Sequence, residues 1–260
     1  MGEIFIAFLT QLLFTVGIIV LFGLLIASLN RMFYRNLSGF GLAPYYVTGF
    51  IGTPIHELSH ALFCVIFGHK VEEIKLFQIS GDGTLGYVNH SYNPKNIYHK
   101  IGNFFIGVAP IIGVALVFYL LTIWMLPAMA SEMVDRISLM DVELGLGDIL
   151  ANAFGTVVVF FSYAGNWQWW LFVILGMFLA LHMTLSTADI KGAGSGILTY
   201  ILVLLVINII LGLIGVGALN GFTSVIISVG SFLINYLIIS VVLSIIAVLV
   251  SILIKKLAKI

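Results

Sequence analysis

The chain has 260 residues, 61% hydrophobic and 8% charged, with Lys plus Arg and Asp plus Glu equal at 11 each. A soluble domain carries about 25% charge, so a water-soluble fold of this composition would expose large apolar patches. Zero net charge removes the electrostatic case for nucleic acid, and the single cysteine, Cys64, excludes an intramolecular disulfide framework.

A membrane span needs about 20 apolar residues, and backbone in lipid must hydrogen-bond within its own helix. The expected fold is an all-α polytopic membrane protein, one integral membrane domain over residues 1–260 with about six transmembrane helices. The N-terminus, Met1, Gly2 and Glu3, lacks the positive region of a cleaved signal peptide. The first span, 4–29, is therefore expected to be retained. The second, 42–68, contains His56-Glu57-Leu58-Ser59-His60. A loop over 70–100 follows. In it Val71 to Ile79 and Thr84 to His90 are rich in strand formers and flank the turn signal Ser80 to Gly83, which predicts a β-hairpin on the cytoplasmic side. The third span is 103–126. An acidic segment (Glu132, Asp135, Asp141, Glu143, Asp148) and an apolar stretch over 146–165 precede the fourth, 168–187. The C-terminal spans are 195–217 and 222–254, and Gly212, Gly215, Gly217 and Gly230 in them are expected at helix contacts.

Orientation follows lysine and arginine. With both termini in the cytoplasm, Lys70, Lys75, Lys95, Lys100, Lys191, Lys255, Lys256 and Lys259 lie inside, and Arg31, Arg35 and Arg136 outside; if the stretch over 146–165 crosses the membrane, the topology after it inverts. The composition suits a bacterial inner membrane.

His56 and His60 are four residues apart, which on a helix stacks both imidazoles on one face. Two nitrogens so placed can bind one Zn²⁺, and Glu57, beside the same opening, can take a proton from water. An ionisable residue inside a span costs about 2.5–3.5 kcal/mol on insertion scales, so Glu57 calls for compensation, which a metal in a polar cavity supplies.

Catalytic zinc takes three protein ligands and keeps an open position. Asp189, at the end of a third-ligand span over 168–190, is the candidate. Measured from Leu42, His56 and His60 lie about 21 Å and 27 Å down their helix, and Asp189 lies about 32 Å below Gln168. All three fall at a similar depth. His182, about 10 Å along the axis from Asp189, is either a transition-state hydrogen-bond donor or a histidine paired within the bundle. Cys64 is either a sulfur ligand or a small buried hydrophobe. His69, His90 and His99 are expected to be solvated.

These residues resemble the site-2 protease family of intramembrane zinc metalloproteases. After the His56–His60 motif, Gly68, Val71 and the apolar Ile74, Leu76 and Phe77 are similar to the family's entry into a membrane-associated β-structure, and Gly107 to Pro110 resembles its Gly-Pro element. The family's third ligand is an Asp in an Asn-to-Pro-to-Leu-Asp-Gly pattern. Here Asp189 follows Ala188, with no Asn or Pro in the preceding turn, so it matches by position and chemistry more than by motif. The resemblance covers residues 50–110 and 180–196, and no loop is long enough for the family's soluble peptide-binding domain. It implies one Zn²⁺ per chain on His56, His60 and Asp189, with Glu57 as general base. It also implies a membrane-protein or membrane-peptide substrate, cut in or near a transmembrane segment. A metal-ion transporter or channel, and an inactive zinc-site protein that binds membrane partners, fit the same residues.

Overall fold

The computed structural model describes residues 1–81, 83–138 and 146–259, the side chains of 137–138, 146–147 and 149–150 excepted. Asp82 of the expected turn and Asp141 and Glu143 of the acidic segment lie outside the described residues. Helix α1 (Gly2–Leu12) passes through a π-helical turn (Leu13–Gly17) into α2 (Ile18–Asn36). Next come α3 (Ala43–Ile66), strands β1 (Lys70–Lys75) and β2 (Tyr87–Ser91), and α4 (Ile97–Met125). Helices α5 (Pro127–Ser138), α6 (Leu146–Ser162), α7 (Trp167–Leu181), α8 (Thr187–Ile214) and α9 (Val216–Ala258) complete the chain.

Against six expected spans, 4 helical segments among the described residues are long and apolar enough to cross a membrane: Gly2–Asn36, Ile97–Met125, Thr187–Ile214 and Val216–Ala258. Helix α3 has 24 residues but carries His56, Glu57 and His60 and is not among them. The expected span 168–187 is the 15-residue α7, which stops at Leu181. The stretch at 146–165 is helical, and its apolar part, Ala151–Ser162, is also short. Helix α8 starts before the expected span 195–217 and ends within it, at Ile214, and α9 extends beyond 222–254 at both ends. Gly215 separates them at φ 149, a conformation that side chains resist, so it breaks the helix rather than mediating a contact.

Helix α4 runs through the core. Its Ile111, Val114, Ala115 and Phe118 are fully buried and pack in one cluster with Phe172 of α7 and Leu237, Ile239 and Leu243 of α9. Polar pairs tie the rods together. Gln11 and Asn208 exchange side-chain hydrogen bonds at 3.0 and 2.6 Å, and Gln11 also donates to Thr223 at 2.9 Å. Asn152 and Thr156 both donate to Asn235 Oδ1. Buried polar groups of this kind hold helices together where no hydrophobic effect operates between them. The exterior remains apolar. On α8 the most hydropathic window is only 17% buried, with Leu198 and Leu213 turned outward. Such surfaces are compatible with an integral membrane protein.

Along α9 the two chain ends lie at opposite ends of the bundle, whereas both were expected on one side of a membrane. Gln11 of α1 meets Thr223 near the start of α9, whereas Asn36 at the end of α2 donates to Ser251 Oγ near the end of α9 at 2.9 Å. Helix α9 has 43 residues, about 64 Å of rise. Arg31 and Arg35 therefore share an end with Lys255, Lys256 and Lys259, although charge counting set them apart.

The hairpin is present with shorter strands than expected. Strands β1 and β2 are antiparallel, with Val71 opposite His90 and Ile74 opposite Val88, and an irregularity between Val71 and Glu73. Beyond Lys75 the chain is non-strand, held by the Gln78 N–H donating to the Leu85 carbonyl at 2.7 Å. Tyr46 Oη donates to the Ser80 carbonyl at 2.8 Å and Phe77 meets Phe50 edge-on. These contacts fold the hairpin tip back onto α3.

Candidate metal centre

Helix α3 begins with Pro44 in its first turn, where a missing N–H costs no helix bond. Helical spacing then delivers His56 and His60 to one face, with their Nε2 atoms 3.2 Å apart. The third group comes from an unexpected place. Asp189 does not end the helix that contains His182. The chain leaves α7 at Leu181, runs non-helically through 182–186, and re-enters helix at α8 with Ser186 as N-cap. Asp189 is in the first turn of α8. Its backbone N–H donates to Ser186 Oγ at 3.1 Å, and its Oδ2 accepts the Ser186 N–H at 2.7 Å. This reciprocal capping box sets the carboxylate so that Oδ1 lies 3.2 Å from His60 Nε2 and Oδ2 lies 3.6 Å from His56 Nε2. Ligand atoms of His56, His60 and Asp189 all fall within 4.8 Å of one another, the one such group among the described residues.

The other nitrogen of each imidazole is committed. His56 Nδ1 donates to the His182 carbonyl at 2.8 Å, and His60 Nδ1 donates to the Ile106 carbonyl at 2.7 Å. Donation from Nδ1 fixes the tautomer and leaves the Nε2 lone pairs for an ion, the arrangement that orients metal-binding histidines. Both carbonyls are spare for a reason. His182 follows the last residue of α7, where carbonyls lack helical partners. Ile106 lies four residues before Pro110 inside α4, and proline has no N–H to give it. Two nitrogens and one carboxylate, pre-oriented and leaving room for a further ligand, fit catalytic zinc.

Close helix approach makes this possible. A Cβ on Gly52 would stand 2.6 Å from the Phe178 carbonyl oxygen and from His182 Cβ, and one on Gly107 would stand 2.5 Å from Ala193 N and the Asp189 carbonyl oxygen. Only glycine lets α3 reach the end of α7, and α4 the start of α8, at these distances.

Glu57 is 7% exposed and lines a cavity of about 380 Å³ together with His56, Thr53, Gly86, His182 and Ser186. Among the described residues its carboxylate has no hydrogen-bond donor, so it is free to accept one from a molecule in the cavity. The His182 ring also borders the cavity, but it is engaged: Nε2 lies 3.0 Å from Thr48 Oγ1 and 3.3 Å from Tyr34 Oη, and Nδ1 lies 3.4 Å from Thr53 Oγ1. Its distance from Asp189 is not that of two residues on one straight helix, because α7 and α8 are separate. Cys64 is fully buried and outside the ligand group, as a small hydrophobe would be.

His69 is not solvated. It is 5% exposed, with Nδ1 3.1 Å from His90 Nδ1 and Nε2 donating to the His99 carbonyl at 2.9 Å. Burial pulls the pKa of His69 and His90 below the ordinary histidine value, and the proximity of His69 adds to the fall at His90.

The sequence reading missed Ser186, Tyr34 and the Ile106 carbonyl. The Ser-x-x-Asp pattern at 186–189 signals a capping box, and Pro110 signals a free carbonyl at 106. Tyr34 has no local signal, since only tertiary contact brings α2 to His182.

A protein-family model described as "Putative zincin peptidase" matches residues 49–154. The matched span contains His56, Glu57, His60 and Ile106 and stops short of Asp189. No curated protein and no solved structure matches the chain. The family match supports a zinc metallopeptidase, with zinc as the metal for the His56–His60–Asp189 group, and is not specific to site-2 proteases.

Proposed function

We propose that the chain is an intramembrane zinc metalloendopeptidase of site-2 type, which hydrolyses a peptide bond in or near a transmembrane segment of a membrane-protein or membrane-peptide substrate. The observation that carries this reading is the convergence of His56, His60 and Asp189 beside an unpartnered Glu57, within a bundle whose outer surface is apolar. Its setting is a cell membrane, with the two chain ends on opposite faces.

Zinc, when bound, polarises the scissile carbonyl and lowers the pKa of water. The chain's own residues do the rest. His56, His60 and Asp189 hold the ion. Glu57 accepts the proton of the attacking water and passes it to the leaving amine, the two-way role of a positioned carboxylate. His182 fixes the tautomer of His56 through its carbonyl, and its ring, held by Thr48, Tyr34 and Thr53, shapes the cavity wall. The hairpin offers a strand edge to an unwound substrate. Proline placed in that edge lowers cleavage and leaves zinc content intact; unchanged cleavage removes the hairpin from the mechanism.

The test is zinc per purified chain combined with cleavage of a membrane-peptide library. Wild type is expected to carry about one zinc per chain. Asp189→Ala is expected to lose the metal, and Glu57→Gln to keep it while losing hydrolysis. Metal binding weakened by Glu57→Gln points instead to a transporter, which would use that carboxylate as a ligand. Zinc retained without cleavage of any substrate points to an inactive zinc-site protein.

A further inference from the structure

Successive carbonyls at the end of α7 are taken by two different helices. Asn30 of α2 donates from Nδ2 to the Ala180 carbonyl at 3.1 Å and to the Leu181 carbonyl at 3.0 Å. The next carbonyl, that of His182, accepts from His56 Nδ1 of α3 at 2.8 Å. A helix leaves such acceptors without partners at its C-terminus. Here they couple α2 to the face of α3 that carries the candidate ligands. The His182 N–H closes back on the Leu179 carbonyl at 3.1 Å, so all of these acceptors sit on one tight turn of backbone. Asn30 is 3% exposed, and its Oδ1 has no hydrogen-bond partner among the described residues. A buried acceptor left unmade costs free energy, whereas a leucine carries no such cost. What the amide contributes is its N–H bonds, and both go to α7.

Four residues further along α2, on the same helical face, Tyr34 reaches the ring of the same histidine. Its Oη lies 3.3 Å from His182 Nε2 and 3.0 Å from Thr48 Oγ1. The Thr48 hydroxyl gives its proton to the Pro44 carbonyl at 2.8 Å. Its oxygen therefore accepts, and His182 Nε2, 3.0 Å away, is the protonated nitrogen of that ring. The Tyr34 ring is itself fixed, stacked on Tyr45 with centroids 3.8 Å apart. His182 is thus held twice from α2: through the backbone beside it by Asn30, and at its ring by Tyr34. Neither residue belongs to the ligand group.

We propose that Asn30 and Tyr34 are positioning residues of the metal centre: by fixing the end of α7 they aim the His182 carbonyl, and that carbonyl aims the His56 imidazole at the ion. This rests on the reading of His56, His60 and Asp189 as the ligands. A helix that supplies no ligand then sets the direction of one of them. His60 is oriented by a different carbonyl, that of Ile106 in α4, so the effect falls on His56. Partners of metal-bound imidazoles fix ring orientation and tune affinity, and a carbonyl that drifts from Nδ1 leaves the ring free to turn.

The probe is Co²⁺, titrated into the metal-free full chain in detergent, with its visible absorption read as the signature of ligand geometry. Tyr34→Phe removes one hydroxyl and keeps the stacked ring. Asn30→Leu removes both donors together with the orphaned oxygen. Each is expected to shift the Co²⁺ bands and to weaken binding by about fivefold, less than the roughly tenfold or more lost with a direct partner of a ligand. In a His182→Ala background, which keeps the carbonyl and lacks the ring, Tyr34→Phe is expected to change nothing further. Gln11→Leu, which breaks the buried pair between α1 and α8, is expected to lower stability and leave the bands as in wild type. Thermal unfolding of the metal-free proteins reports folding, and if Asn30→Leu does not fold, the Tyr34→Phe cycle decides alone. Wild-type bands and affinity in folded Tyr34→Phe and Asn30→Leu proteins overturn this inference and leave the metal site standing. An undiminished effect of Tyr34→Phe in the His182→Ala background overturns the route through His182. Absence of Co²⁺ binding by wild type overturns the ligand assignment and this inference with it.

Discussion

The Ile106 carbonyl accepts a hydrogen bond from His60 Nδ1 at 2.7 Å, and it is available because residue 110, its normal partner in an α-helix, is proline. A proline inside a helix, which would ordinarily cost about 3 kcal/mol, thereby supplies the acceptor that orients a histidine of the candidate metal group. Pro110→Ala restores an N–H that competes for the same oxygen. The expected outcome is a helix at least as stable and a zinc affinity lower by about tenfold, the smaller end of effects seen when partners of metal ligands are lost. Competition with a chelator, read as zinc per chain, checks it. Unchanged affinity would mean that the oxygen serves both donors equally well.

Ser186→Ala tests the clamp on Asp189. It removes the hydroxyl that accepts the Asp189 N–H and leaves the Ser186 backbone donor in place. Loss of an N-cap costs about 1 kcal/mol, and a looser first turn is expected to weaken zinc binding by about tenfold. Ser186→Thr, which keeps the cap, is expected to restore both. If Ser186→Ala lowers thermal stability while zinc affinity stays at the wild-type level, the cap is structural alone.

The Gln11–Asn208 pair should behave as a coupled unit. Both side chains are fully buried, so Gln11→Leu leaves Asn208 Oδ1 without its donor, while Asn208 Nδ2 keeps the Leu204 carbonyl and Thr223 Oγ1 keeps the Leu219 carbonyl. Destabilisation of about 1 kcal/mol is expected, in line with interhelical hydrogen bonds inside membranes. Adding Asn208→Leu should cost less than the sum of the single changes, because an orphaned buried amide is then removed as well. Denaturation in detergent on the four proteins of the cycle reads the coupling.

Acid is expected to loosen the hairpin from the bundle. His69 and His90 hold their pKa values below the ordinary 6.5 in the folded state. The unfolded state therefore binds protons that the folded state refuses. The contribution of this pair to stability is complete above pH 6.5 and is lost as pH falls from there through the folded values. The protection factors of the β2 amides against hydrogen exchange should fall below about pH 6. His90→Phe should flatten that dependence. A pH-independent protection factor in wild type would show that the pair tolerates protonation.

Part of the candidate centre's geometry was legible in the chain. His56 and His60 lie on one helical turn, so their spacing is their geometry, and the cost of a carboxylate among apolar residues singled out Glu57, which lines the cavity beside them. Hairpin chemistry was legible too, because strand formers around a glycine-rich turn act locally. The span count was not, since hydropathy alone cannot tell a helix that stops at Leu181 from one that runs on to Asp189. Which charges share one end of the bundle was not legible for a related reason. Lysines and arginines were counted along the sequence, whereas the Asn36–Ser251 contact joins helix ends 215 residues apart.

By itself, then, the sequence determined that this is an apolar helical protein with a two-histidine, one-glutamate motif on a single helical turn. Tertiary structure alone decided that Asp189 reaches that motif from the start of a different helix. It also supplied the carbonyls of His182 and Ile106 that hold the imidazoles, and brought the ends of α2 and α9 together through Asn36 and Ser251. Local features depend on backbone periodicity, which each segment carries within itself. These others depend on how closely helices approach at Gly52 and Gly107, and a close approach is a property of two segments at once.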